Sequence, residues 1–127
     1  MSILDDIGDK LVADAVVNGA TGWTLYKSYQ PDSADQTVTL LETGGEEPDQ
    51  TQGIAYTFPT FQARVRGAEL QYDVARTKIQ EVFDSLNNST IAGYVYVFAS
   101  ESGPIPLRYD TADERPEIVW NFRTMKA

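Results

Sequence analysis

The chain has 127 residues, with 10 basic side chains, 19 acidic side chains and a formal net charge of −9. Surfaces that bind nucleic acids or anionic membranes rely on Lys and Arg, so this balance argues against both kinds of surface. Histidine and cysteine do not occur in the sequence, which excludes disulfides, Cys/His zinc sites and His-dependent catalysis. The length predicts a single domain over residues 1–127 that can bury a substantial core.

The amino-terminal segment predicts a helix over about residues 3–17. Apolar side chains recur every four residues from Ile3 to Ala15, and acidic residues fill the first turns, where the helix dipole favours negative charge. Asn18 and Gly19 are typical of a helix end. The segment has neither the basic start nor the apolar run of a signal peptide, and the sequence contains no apolar run of transmembrane length. We therefore expect the protein to act in the compartment where it is made.

Two strands are predicted next. Trp23–Tyr29 is rich in aromatic residues, and Val38–Thr43 is rich in β-branched and aliphatic residues. The segment Gly44–Gly53 follows and contains no apolar residue. We expect this segment to be an exposed loop, or one that becomes ordered on assembly.

The most regular pattern in the sequence lies between residues 58 and 86. Over 58–67, apolar residues alternate with a glutamine and two arginines, which predicts a strand with one face in the core. Over 68–86, apolar residues recur at helical spacing, so a long helix is predicted to lie across one face of the sheet. Leu70 and Val74 fall outside its apolar face. They are either incidental exposed aliphatic residues or a stripe that contacts another subunit.

A further strand is predicted over Thr90–Ala99. Period-two alternation places Tyr94, Tyr96 and Phe98 on one face and valines on the other. Because both faces are apolar, this strand either lies inside the sheet or presents its aromatic face to a partner.

The connection Ser100–Arg115 contains Pro104 and Pro106 and is too long for a tight hairpin, so we expect a loop or a projecting arm. Glu117–Arg123 alternates in polarity and is predicted to complete the sheet. The predicted order is therefore α-β-β-β-α-β-β. This order is typical of an α+β domain, with one mostly antiparallel sheet packed by two helices.

Candidate chemistry is sparse. Glu46, Glu47 and Asp49 form the densest carboxylate cluster, but their spacing matches no calcium-binding loop, so a solvated acidic loop is favoured. Arg64 and Arg66 could bind a carboxylate ligand, but pairing with an acidic residue on a neighbouring strand is favoured. The sequence predicts no catalytic residue, no cofactor, no metal and no enzymatic activity. Polar loops on a rigid sheet suit assembly with partners.

One series of motifs carries a family resemblance. Thr43–Gly45 and Pro48–Asp49 precede the strand Pro59–Gly67, which leads into the helix containing Tyr72 and Ala75. The series resembles the tail terminator and minor capsid proteins of tailed phages. Those proteins often have a "TGG…PD" segment, a "YPTxQVRVRG" strand and a following helix. The amino-terminal helix and the last strand also agree, so the resemblance spans most of the chain.

The resemblance implies a structural role in the virion. Tail terminators are similar in fold class to tail-tube proteins and form a ring, usually of six copies. The ring caps the finished tube, stops its polymerisation and presents its other face to the head connector. The expected partners are therefore further copies of the chain, the tail tube protein and a head connector or neck protein. Genome DNA would pass through the lumen without specific binding, and assembly would take place in the host cytoplasm, away from any membrane.

The sequence is also compatible with three other functions. A neck or head-completion adaptor would contact the portal rather than the tube. A soluble monomeric domain could bind a small ligand or peptide through its aromatic strand face. A carboxylate-dependent hydrolase is the least favoured of the three.

Exposure and polarity, rather than the resemblance, select the candidate residues for subunit or partner contacts. They lie in the long helix, the acidic glycine-rich segment and the proline-containing connection. The set is Leu70, Val74, Gly44, Gly45, Glu46, Glu47, Asp49, Pro104, Pro106 and Arg108.

Overall fold

The structure is a computed structural model that describes residues 3–17, 22–29, 35–49, 56–109 and 115–126. It confirms the α+β class and the predicted order of helices and strands, with one more strand in the last connection. The elements are α1 (Ile3–Ala13), β1 (Thr24–Lys27), β2 (Thr37–Asp49), β3 (Tyr56–Arg66), α2 (Tyr72–Leu86), β4 (Tyr94–Ala99), β5 (Ile105–Tyr109) and β6 (Pro116–Lys126).

All six strands form one sheet in the order β1-β2-β3-β6, and both β4 and β5 pair with the far side of β6. Strand β5 pairs with residues 116–119 of β6, and β4 pairs with residues 122–126. Among these described strands, only the pairing of β1 with β2 is parallel. The sheet is therefore mostly antiparallel, as predicted.

Both helices pack on the same face of the sheet. The apolar face of α2 contributes Ala75, Ile79, Val82 and Leu86, all fully buried, against β3 and β6. The ring of Phe83 stacks on Trp120 of β6, with centroids 4.3 Å apart. Helix α1 packs against α2, β1 and β2. The apolar face predicted for the long helix is thus part of the core of the protein.

Both helices are shorter than predicted, and left-handed residues explain where they stop. Helix α1 ends at Ala13, and Ala15 has a φ of 58° that breaks the helical path. Helix α2 begins only at Tyr72, because Leu70 has a φ of 59° and lies in the preceding turn. At the carboxyl end, Asn88 has a φ of 56°, in keeping with the predicted asparagine stop.

The prediction of a loop from Gly44 to Gly53 is wrong over Gly44–Asp49, which continue β2 and pair with β3; residues 50–53 lie outside the described ranges. Strand β1 pairs only with residues 37–40 of β2, so beyond Leu40 the strand has β3 as its single neighbour among the described strands. We name this part of β2 and the β3 segment that pairs with it the β2–β3 hairpin; on its other side, β3 pairs with β6 from Thr57 to Arg66. Gly44–Asp49 therefore forms an edge strand on β3 without an aliphatic or aromatic side chain of its own.

The predicted arm over Ser100–Arg115 is also wrong in part. Residues 105–109 form strand β5 on β6, and residues 110–114 lie outside the described ranges. Pro106 is tolerated within β5 because β6 is the one neighbour of this strand in the described part of the chain, and an edge strand can lack a donor on its free side.

Among the described strands, β4 pairs with β6 alone, so it lies at an edge of the sheet. The alternative that placed it inside the sheet is therefore wrong. A bulge between Tyr94 and Tyr96 also separates the three aromatic residues. Tyr94 packs against the core on the helix side, where its hydroxyl donates to Asp6 Oδ2 of α1 at 2.8 Å. Tyr96 and Phe98 lie on the other face and stack on one another.

The Tyr94–Asp6 contact predicts a change in stability at alkaline pH. Burial, and then the hydrogen bond to Asp6, raise the pKa of the Tyr94 hydroxyl above its ordinary value of 10.0. The folded state holds this proton more tightly than the unfolded state. Its contribution is therefore complete below pH 10 and is lost as the pH rises further.

Above about pH 10, we expect the free energy of unfolding of the native protein to fall by up to about 1.4 kcal/mol per pH unit more steeply than that of Tyr94→Phe. Urea unfolding of both proteins at several pH values between about 8 and 11 measures the difference. Equal slopes for the two proteins would contradict this role of Tyr94.

Candidate assembly surfaces

The predicted contact residues lie on three elements: the start of α2, the β2–β3 hairpin and β5. Leu70, with 65% of its surface exposed, lies in the turn before α2, and Val74, at 39%, lies in its first turn. The two residues do not form the predicted stripe within one helix, because the helix begins after Leu70. Both nevertheless present aliphatic surface to solvent at the same end of α2.

Val74 lines an open cleft of about 340 Å³ beside α2, which also contains Trp23, Lys78 and Glu81. Lys78 is buried, yet its Nζ is well partnered. It donates to the carbonyl oxygen of Val16 at 2.9 Å, pairs with Glu81 Oε2 at 2.8 Å and lies 5.3 Å from the centre of the Trp23 ring. Sequence reasoning missed this cleft, because nothing in the helical pattern distinguishes a buried lysine from a solvated one.

The hairpin depends on glycine next to the irregular register between Glu42 and Gly44 of β2. Gly44 and Gly45 both have positive φ angles, of 88° and 120°. A Cβ on Gly44 would meet nothing within 4 Å, whereas a Cβ on Gly45 would overlap the backbone oxygen of Phe58 in β3. Across the hairpin, the hydroxyls of Thr43 and Thr60 share a hydrogen bond of 2.5 Å. Glu46, Glu47 and Asp49 follow in the same strand.

Strand β5 presents apolar surface at the edge of the sheet. Pro106 is exposed, and Pro104 just before the strand is half-buried. Between and beside them, Ile105 is 39% and Leu107 is 45% exposed. Arg108 lies opposite Glu117 in the register of β5 on β6. Sequence reasoning selected the prolines and Arg108 here but missed the two aliphatic residues, because it did not predict a strand.

The face of the sheet opposite the helices carries arginines and aromatic rings. Arg66 pairs with Glu117 of β6 at 3.1 Å, with both side chains largely buried, so the predicted cross-strand pairing is confirmed for Arg66. Arg64 forms no such ion pair with the described side chains, so there the prediction is wrong; its Nη2 donates instead to Gln62 Oε1 at 3.2 Å. Its Nε is buried with no hydrogen-bond partner.

The aromatic part of this face lies on β4 and the end of β6. The rings of Tyr96 and Phe98 stack with centroids 4.9 Å apart. The guanidinium of the exposed Arg123, opposite Phe98 in the register, lies 6.0 Å from the centre of its ring. We name the set Gln62, Arg64, Tyr96, Phe98 and Arg123 the arginine–aromatic face.

Within the described ranges, the side chains of His, Cys, Asp and Glu form no group of three that could bind a metal ion. In the same part of the chain, neither helix has the length and apolar character needed to span a membrane.

Comparison with known proteins identifies the family. A family model described as bacteriophage tail terminator protein matches residues 10–125, nearly the whole chain. The chain belongs to the bacteriophage tail terminator family. It is therefore a structural component of a virion, as the motifs around the hairpin and β3 predict. The matched range contains the hairpin, the long helix and the arginine–aromatic face.

A solved structure agrees with this fold. A chain of the virion of a native gene transfer agent particle superposes with a TM-score of 0.68 at 16% sequence identity, covering 98% of this chain and 94% of that one. At this identity the likeness shows that the two chains share a fold. No curated protein matches this sequence.

The two hairpin glycines provide a matched pair of substitutions. Alanine at either position incurs the cost of a positive φ, on the order of 1 kcal/mol, but only the alanine that replaces Gly45 would also collide with the β3 backbone. We expect Gly45→Ala to speed amide hydrogen exchange in the hairpin by at least about tenfold more than Gly44→Ala. Exchange measured by mass spectrometry checks this, and equal rates in the two variants would contradict it.

Proposed function

We propose that this protein is the terminator of a phage-type tail. In this proposal, six copies form a ring that caps the finished tail tube, stops its polymerisation and joins the tube to the head connector. The observation that carries the proposal is the match to the tail terminator family over residues 10–125. The ring assembles in the host cytoplasm and remains in the virion, between tail and head.

The shape of the sheet suits a ring of identical subunits. Such rings form when two different surfaces of one chain bind each other and the rotation closes. Strand β1 lies at one edge of the sheet, and β4 and β5 lie at the other. Each copy therefore has two dissimilar edges, and among the described residues the exposed Ile105, Leu107 and Val95 all belong to the second edge.

The charge of the chain suits a channel for DNA. A ring around the genome must let a polyanion slide past without holding it, and the net charge of −9 disfavours adhesion. Within the described side chains, five cations are already in ion pairs with carboxylates: Lys10, Lys27, Arg66, Lys78 and Arg115. Pairing of this kind reduces the positive charge that the surface can offer to phosphate.

Assembly without this protein tests the role in the virion. We expect particles made in its absence to contain tails of uncontrolled length that are not joined to heads, measured by electron microscopy. Purified protein added to polymerising tube protein should cap the tubes and limit their length. Free tails of normal length beside full heads would contradict the terminator role and indicate a neck or head-completion adaptor instead.

The exposed aliphatic residues at the start of α2 predict a contact. Replacing both Leu70 and Val74 by Asp should weaken ring or tube binding by at least about tenfold, because burial of each side chain is worth about 1.5–3 kcal/mol. The circular dichroism spectrum should not change, since neither side chain is part of the core.

Val12→Asp is the matched control, because Val12 is 49% exposed on α1, away from this end of α2. Native mass spectrometry and sedimentation with tube protein measure the assembly. Unimpaired assembly of the Leu70→Asp/Val74→Asp variant would show that these residues make no contact.

A further inference from the structure

We propose that the acidic β2–β3 hairpin of one copy binds the arginine–aromatic face of the next copy and that this contact closes the ring. The inference rests on the ring of the proposed function and assigns its subunit contact. Two different surfaces of the same chain would bind each other, which is the kind of contact that closes into a ring.

The receiving surface is the side of the sheet that neither helix covers. The core residues of β3 and β6 point towards the helices, so the alternating residues Gln62, Arg64 and Arg123 lie on the opposite side. Strand β4 adds Tyr96 and Phe98 to this side, because the bulge after Tyr94 reverses the alternation. The result is a half-exposed surface of planar groups, which are typical of interface centres.

The cations on this surface have no carboxylate partner among the described side chains. The five ion pairs in that part of the chain do not include Arg64 or Arg123. Arg64 bonds to a neutral glutamine and leaves its Nε without an acceptor, and Arg123 lies over the Phe98 ring. The half-buried Arg64 and the exposed Arg123 thus carry positive charge that no described carboxylate neutralises, and hydrogen bonds between guanidinium and carboxylate groups are among the strong ones.

The hairpin supplies the complementary charge. Residues 41–61 contain Glu42, Glu46, Glu47 and Asp49 and no Lys or Arg. Beyond Leu40, β2 has β3 as its only neighbour among the described strands, so its outer edge is open. Glu42 is exposed and makes none of the ion pairs formed among the described side chains.

A second copy fits this surface better than nucleic acid does. Arginines beside stacked rings could also bind bases and phosphate, but the chain as a whole carries nine more acidic than basic side chains. The acidic groups that match the face are present on the same protein. Binding between copies therefore needs no further partner.

Charge reversal tests the pairing. One variant carries a basic hairpin (Glu42→Lys, Glu46→Lys and Glu47→Lys), and the other carries an acidic face (Arg64→Glu and Arg123→Glu). Each variant alone brings like charges together and should weaken ring assembly by at least about tenfold. A chain carrying all five changes restores opposite charges and should form rings again.

Mixing the two variants sharpens the test. In an equimolar mixture, each basic hairpin meets an acidic face and each native acidic hairpin meets a native face. Rings should therefore form with the two variants in alternation, and native mass spectrometry should detect equal numbers of each in rings of even copy number. If either surface bound a different protein instead, mixing the two variants would not restore ring assembly.

Cross-linking provides a second test, in which the two cysteines placed on the proposed contact leave every charge in place. The chain has no cysteine, so Thr43→Cys on the hairpin and Met125→Cys beside Arg123 can be joined selectively by a short bis-maleimide. A ladder of covalent multimers that ends at the ring size is expected on a denaturing gel. Thr43→Cys with Asp84→Cys, which lies on α2 on the opposite side of the sheet, should give no ladder.

The outcomes separate this contact from the function itself. Two results would overturn the contact while leaving the terminator role in place, provided that the native protein forms rings. In the first, both charge-reversed variants also form rings. In the second, neither the mixture nor the variant with all five substitutions forms them. If the cross-linked pair gives no ladder within intact rings, the contact is likewise overturned. If the native protein remains monomeric even with tube protein, the proposed function fails first.

Discussion

Strand β6 is the element on which the rest of the fold depends. It pairs with β3 along one side and with both β5 and β4 along the other. Three of the other five strands therefore pair with β6 directly. Its alternate residues Ile118, Trp120 and Phe122 form the floor of the core on which α2 lies. Because these pairings join residues far apart in the sequence, the sheet gains its stability only when distant segments meet.

The helices and strands with a regular apolar pattern were predictable from the sequence. When one side of such an element is buried, apolar residues must recur at the period of the helix or strand. The buried side chains of α2 and the alternation in β3 follow directly from their apolar spacing. These two elements were enough to indicate the class of the fold and a single sheet packed by helices. The motifs of the hairpin and β3 also pointed to the family that the comparison shows.

The rest of the fold was not predictable, because it depends on partners that the local pattern does not reveal. Strand β5 contains a proline and forms because β6 offers an open side. The extension of β2 over Gly44–Asp49 has no aliphatic or aromatic side chain of its own and forms by pairing with β3. The bulge at Tyr94 reverses the direction of one ring, and no feature of the alternation marks it. Lys78 is buried only because a carbonyl oxygen, a carboxylate and a ring meet around it.

The position of β6 in the chain has a consequence for the timing of assembly. Strands β3, β4 and β5 all precede it in the sequence; among the described strands β4 and β5 pair with β6 alone, and β3 has it as the second of its two neighbours. During synthesis, β3 would therefore have only β2 as a neighbour, while β4 and β5 would have none, until residues 116–126 emerge from the ribosome. The arginine–aromatic face combines β3, β4 and β6, so a nascent chain cannot display it. An incompletely synthesised chain therefore cannot take part in a subunit contact that needs this face.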